Sequence, residues 1–174
     1  MNWIDHEHLL EVSGRIEAVL YNDHGEVDGL LLEGEQEVHV PPHLTAKAGR
    51  SLAAGELVTA RYVKPRDADV FVALSLKLPS GKLLIDEGPH GHAPSASPAK
   101  TAVHVKGTVR SLIHAPRGEV SGALLDGAIV RFHPKGNEDI AACFEPGALV
   151  EVWGEGFKKR GVLVIELGHV AQLP

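Results

Sequence analysis

Phe157-Lys158-Lys159-Arg160 puts an aromatic ring beside three consecutive cations, and Trp153 precedes them on the same segment. Cations follow phosphates and bases stack on aromatic rings, so this combination suits a single strand of nucleic acid. Arg131 and His133 alternate with Val130 and Phe132, which turns the two polar side chains outward on a strand. Lys106 and Arg110 alternate in the same way with Val105, Gly107 and Val109. The candidate contacts are therefore Lys106, Arg110, Arg131, Lys158, Lys159 and Arg160 for phosphates, with Trp153 and Phe157 for stacking. The plain alternative is a soluble hairpin tip whose Lys-Lys-Arg is a solvated charge run, with Trp153 packed in a core.

Histidine is the other abundant chemistry, with 11 in the chain. His90-Gly-His92, His6-x-His8 and His39-x-x-x-His43 are close pairs, and neutral imidazole ligates zinc, copper or nickel. His39, His43, His90 and His92 are thus the alternative, metal-binding candidates. No pair lies on an evident helix, and Pro41-Pro42 stands between His39 and His43. A physiological site also needs an oriented second layer of partners, so no metal or other cofactor is expected. His104 and His169 are expected on strand surfaces.

Enzymatic chemistry has little to stand on. The chain lacks a P-loop, a Gly-x-Ser-x-Gly elbow and a His-Glu-x-x-His helix. Cys143, the single cysteine, falls on a helix face expected to pack inward, as a small hydrophobe rather than a nucleophile. The expectation is a binding protein and not an enzyme.

Net charge is −6, which argues against strong unspecific nucleic-acid binding. The charge is uneven. Residues 1–86 hold 8 basic and 14 acidic side chains (8 − 14 = −6), whereas residues 101–174 hold 8 of each (8 − 8 = 0). The basic candidates cluster in the neutral half, so binding is assigned there. The rival reading is a protein-interaction or assembly module, in which apolar outer residues of the first barrel cover a protein partner, a second copy of the chain or the second barrel. Those residues are Leu57, Val19 and Tyr21, together with an extra arm at 77–86. No long apolar run exists and the first residues lack the pattern of a signal peptide, so a cytoplasmic protein without membrane contact is expected.

The elements that must position these residues come in duplicate. Val12-Ser-Gly-Arg-Ile16 lines up with Val105-Lys-Gly-Thr-Val109. Gly25-Glu-Val-Asp-Gly29 lines up with Gly118-Glu-Val-Ser-Gly122, and Leu31-Leu32-Glu33-Gly34 with Leu124-Leu125-Asp126-Gly127. The offset is 93 and then 92, and it keeps its order through Pro42 and Pro134 to Val58 and Val150. Residues 87–100, rich in Pro, Gly, Ser and His, read as a flexible linker between domains at 1–86 and 101–174.

Each copy alternates with period two over its first strand. Val12, Gly14, Ile16, Ala18 and Leu20 are expected inward in one copy, and Val105, Gly107, Val109, Ser111 and Ile113 in the other. Two further strands follow. Asn137 then opens a short helix with Ile140, Cys143 and Phe144 on one face, and Pro146-Gly147 stops it. The counterpart at 43–54 is weakened by Gly49. Two more strands complete each copy.

Strand, strand, strand, helix, strand, strand, twice over, resembles the OB fold. Gly147-Ala-Leu-Val-Glu-Val-Trp-Gly154 followed by Gly161-Val-Leu-Val-Ile-Glu-Leu167 is similar to the last hairpin of nucleic-acid-binding OB domains. The chain also resembles bacterial two-repeat barrel proteins with a Gly-Glu-x-x-Gly-x-Leu-Leu core. The resemblance implies an all-β chain of two tandem five-stranded barrels, each with a short helix between strands three and four. It also implies a ligand face on the outside of strands two and three, flanked by the loops joining strands one to two and four to five.

Overall fold

The computed structural model describes residues 9–65, 70–88 and 98–174. Two closed five-stranded barrels account for nearly all of it. The chain divides into two compact units: Met1–Leu20, Glu26–Pro94 and Pro116–Gly118 in the first, Tyr21–Gly25, Ser95–Ala115 and Glu119–Pro174 in the second. The expected linker falls mostly in 89–97, outside the described residues.

In the first barrel, β1 (Leu10–Tyr21), β2 (Val27–Leu32), β3 (Gln36–His39), β4 (Leu57–Val63) and β5 (Val70–Lys77) pair in the order β3-β2-β1-β4-β5. A parallel pairing of Glu37–His39 with Val70–Val72 closes the wall. The helix α1 (Pro42–Thr45) lies between β3 and β4. It stops short because a separate 3-10 turn begins at Gly49, whose φ of 57° is the left-handed region that glycine tolerates. An extra strand, β6 (Leu83–Ile85), hairpins back onto β5.

The second barrel repeats this plan. Its strands are β7 (Thr101–His114), β8 (Val120–Leu125), β9 (Ala128–Arg131), β10 (Leu149–Lys159) and β11 (Val162–Gln172), ordered β10-β11-β9-β8-β7 with β10 paired to β7. The parallel pair is again between strands three and five, Leu163–Glu166 on Ala128–Arg131. The helix α2 (Glu138–Ala142) again precedes strand four. This order, with that helix, is the OB arrangement in both copies.

Alternation explains the interiors. Val12, Ile16, Leu30, Leu32, Val38, Val58, Ala60 and Leu76 fill the first barrel, with Leu44 and Leu52 delivered from the segment after β3. Val109, Ala123, Leu125, Val130, Val150, Val152 and Ile165 fill the second, plugged by Phe144 from the end of the helix segment. Phe144 is fully buried and lies 5.6 Å from the Phe132 ring.

Strict alternation does not hold along the whole of either first strand. In β7 the pairing slips so that Val109 faces Leu125 but Ser111 faces Leu124. The extra residue of a bulge reverses the parity of everything after it. Leu112, not Ser111, therefore packs on the interior, and Ile113 is buried outside that cluster. In β1 the same reversal brings Val19 onto the interior, while Leu20 and Tyr21 are buried outside it. Val19 and Tyr21 are thus not exposed outer residues, whereas Leu57 is. Asn137 does not cap α2 with its side chain. Its Nδ2 instead donates to the His133 carbonyl at 2.6 Å.

Candidate nucleic-acid interface

The cationic run sits at the tip of the β10–β11 hairpin. β10 pairs with β7 only as far as Gly156 opposite Thr101, so residues beyond it extend past the end of β7. Lys159 pairs with Val162 across a two-residue turn of Arg160 and Gly161. Both turn residues have positive φ, 48° and 81°. That is the mirror-image turn whose twist matches a β-hairpin, and it ordinarily takes Asn or Gly at the first position. Here it takes arginine. Lys158, Lys159 and Arg160 are all exposed, and Phe157 is half-buried.

Lys106 and Trp153 lie farther along the same three strands. Trp153 is directly opposite His104 on β7 and His169 on β11. The His104 ring stacks on the indole with centroids 4.8 Å apart and planes 7° apart. The His169 ring lies 5.2 Å from it on the other strand, tilted by 36°. The three rings form one row across the outer face, and both faces of Trp153 are occupied within the barrel. Glu151, two residues before, accepts from His104 Nε2 at 2.9 Å and lies 3.6 Å from Lys106 Nζ. The hydrogen bond from His104 holds the Glu151 carboxyl below its ordinary range, helped by the positive charge of Lys106.

The first barrel has the same row with other chemistry. Glu11 faces Arg61, which faces Ser75, and Arg61 Nε donates to Glu11 Oε1 at 3.0 Å. One step along, Ser13 and Thr59 share a 2.7 Å hydrogen bond where the second barrel places Lys106 and Glu151. A register shift follows Arg61 just as one follows Trp153. The backbone is common, so the fold itself does not require His-Trp-His.

The other cations do not join the tip. Lys106 is opposite Glu151, seven residues from Lys158 and so about 23 Å along the strand. Arg110 lies 3.7 Å from Asp126. Arg131 points outward as expected, but its Nε donates to a backbone carbonyl at 2.8 Å and the residue is half-buried. Directly opposite it stand Gly122 on β8 and Glu166 on β11, and one step along the same outer face lie Leu124, Ile129 and Val164, which are apolar and buried. That face carries no basic stripe. Lys100, just before β7, is bonded to Glu166 at 2.8 Å.

The histidine candidates separate. His43 Nε2 donates to Asp86 Oδ1 at 2.6 Å, with both side chains under one-fifth exposed. This bond ties α1 to the residue after β6, and Asp86 also accepts from the Gly88 amide at 2.9 Å. His39 is on β3 opposite Gly29. His90 and His92 lie outside the described residues. Among the described residues no group of three or more His, Cys, Asp or Glu side chains is arranged to hold a metal ion. Cys143 is half-buried, with Sγ 3.7 Å from the Asp139 carbonyl.

The His104–Trp153–His169 row is not visible in the sequence as a unit. Its signal lay in the pairing of strands one, four and five, which sets the two surface histidines opposite the tryptophan.

No protein-family model and no curated protein sequence matches the chain. Among solved structures, it is similar to the wild-type single-stranded DNA binding protein from Thermus aquaticus at 15% identity, covering 94% of this chain and 91% of that one, with a TM-score of 0.29. A deletion mutant of the same Thermus aquaticus protein gives 14% identity, 94% and 93% coverage and a TM-score of 0.28. The OB arrangement rests on the strand pairings themselves. No helix among the described residues is long and apolar enough to cross a membrane.

Proposed function

We propose that the chain is a cytoplasmic, non-enzymatic binding module that takes single-stranded DNA or RNA at the β10–β11 hairpin tip of its second barrel. The observation that carries this reading is Arg160. A non-glycine residue in the left-handed region costs of order 1–3 kcal/mol and persists where the surroundings hold it. Asn or Gly would fill the turn at less cost, yet this one presents a guanidinium beside Lys158 and Lys159 on an exposed tip. Phe157 adjoins the cations as the stacking residue. Lys106 and Arg110, held against carboxylates, contribute less. Trp153 acts through its row rather than as an open platform.

Fluorescence anisotropy with a labelled oligonucleotide tests this. Binding at low salt is expected to weaken steeply as salt rises. The triple change Lys158→Ala, Lys159→Ala, Arg160→Ala is expected to flatten that salt dependence. Absence of binding at low salt, or binding indifferent to the triple change, rejects the reading.

A further inference from the structure

We propose that β6 is a self-complementary strand edge through which two copies of this chain pair, antiparallel and two-fold about Leu84. The inference comes from the first barrel and does not depend on the nucleic-acid reading.

β6 closes one side of a hairpin in which Ser75 faces Ile85, Leu76 faces Leu84 and Lys77 faces Leu83. The Leu78 amide donates to the Lys82 carbonyl at 2.9 Å and the Asp86 amide to the Leu74 carbonyl at 2.8 Å. Hydrogen-bonded and non-bonded pairs alternate along an antiparallel ladder. Residues 82, 84 and 86 therefore turn their backbone groups toward β5. The amides and carbonyls of Leu83 and Ile85 point to the opposite edge, where no strand pairs with β6 among the described residues.

Two-fold pairing about Leu84 sets Leu83 of one copy opposite Ile85 of the other, twice. In that register Leu83 and Ile85 form the hydrogen-bonded pairs, so every free amide and carbonyl on both edges is satisfied at once. A shift by one residue would bring in groups already bound to β5. The side chains agree with the backbone. Leu83 is 51% exposed and Ile85 36%, on the face away from the interior, while Leu84 is 4% exposed and belongs to the core. Pairing covers each exposed residue with the other. At the ends Lys82 of one copy falls opposite Asp86 of the other, whose carboxylate is already bound to His43, so the match rests on the backbone and on Leu83 and Ile85. The arm is already held in place by the His43–Asp86 bond, so little ordering is needed.

Such a contact is small against the roughly 1,000 Å² of a stable interface, so the dimer is expected to dissociate on dilution. Sedimentation velocity of the full chain over a concentration series is expected to show monomer passing to dimer. Leu83→Lys with Ile85→Lys, both at exposed positions, is expected to leave only monomer. A second measurement does not depend on that variant folding. Leu83→Cys and Ile85→Cys chains, each also Cys143→Ser, are mixed under oxidising conditions. Directly opposed residues lie within disulfide reach, so the mixture is expected to cross-link faster than either chain alone. A chain that stays monomeric at every concentration overturns the proposal. So does a dimer that survives the lysine pair, or cross-linking no faster in the mixture.

Discussion

Trp153 and His104 lie face to face on neighbouring strands, 4.8 Å apart and nearly parallel, where the first barrel carries Arg61 and Glu11. Stacked aromatic pairs contribute about 0.5–1.5 kcal/mol beyond their buried area. A double-mutant cycle of Trp153→Ala and His104→Ala is expected to return a coupling in that range by denaturant unfolding. The paired exchange His104→Glu with Trp153→Arg, which copies the first barrel, is expected to keep the fold by circular dichroism. A collapse of structure would mean that the row is required for folding.

Glu151 gives a pH dependence whose sign is fixed. Its carboxyl is held low in the folded chain by the His104 hydrogen bond first and by Lys106. A depressed folded value means stabilisation that is present above the ordinary glutamate range and lost as pH falls through the folded value. Glu151→Gln is therefore expected to lower Tm at neutral pH. The gap to the wild type should shrink in acid, below the carboxylate range. An equal gap at both pH values would refute the assignment.

Arg160 sets stability against binding. Arg160→Asn relieves the left-handed backbone and is expected to raise stability by up to about 1 kcal/mol. The same change is expected to weaken oligonucleotide binding at low salt. Calorimetric unfolding and anisotropy on the one variant separate the two effects. A variant that is more stable and binds equally well would remove arginine from the contact set.

Gly122 and Gly29 occupy equivalent places in the two copies but not equivalent space. A Cβ on Gly122 would stand 2.3 Å from the Val130 carbonyl oxygen, which belongs to the paired backbone of β9. A Cβ on Gly29 would stand 3.2 Å from the Val38 oxygen. Gly122→Ala must therefore push strands apart, with a loss of several kcal/mol expected, against roughly 1–3 kcal/mol for Gly29→Ala. Thermal unfolding of the two variants checks the order of the effects.

The two five-stranded barrels and the short helix before strand four were legible because alternating apolar residues and turn glycines recur along the chain. What alternation could not show was where it stops. The shift between Val109 and Ser111 exchanges the fates of Ser111 and Leu112, and only the partner strand reveals it. The candidate site suffered for a related reason. Lys106, Arg131 and Lys158 all point outward, but outward on a barrel is not one direction, and the strand pairings spread them apart. The hairpin tip was legible because its three cations are contiguous in sequence. The outer residues Leu124, Ile129 and Val164 read as ordinary strand apolars, with nothing local to mark them as lying on the far side of the wall from the interior.

The parallel pairing that closes the first barrel joins Glu37 to Val70, two positions separated by the helix and a whole strand. Ribosomes deliver the chain from its N-terminus, so Leu30, Leu32 and Val38 leave the exit tunnel well before the strand that seals them. Until Val70–Val72 emerges, the nascent sheet has an unsatisfied rim and hydrated leucines. That interval is when the growing polypeptide is most prone to stick to its neighbours, and when a chaperone would find the most to hold.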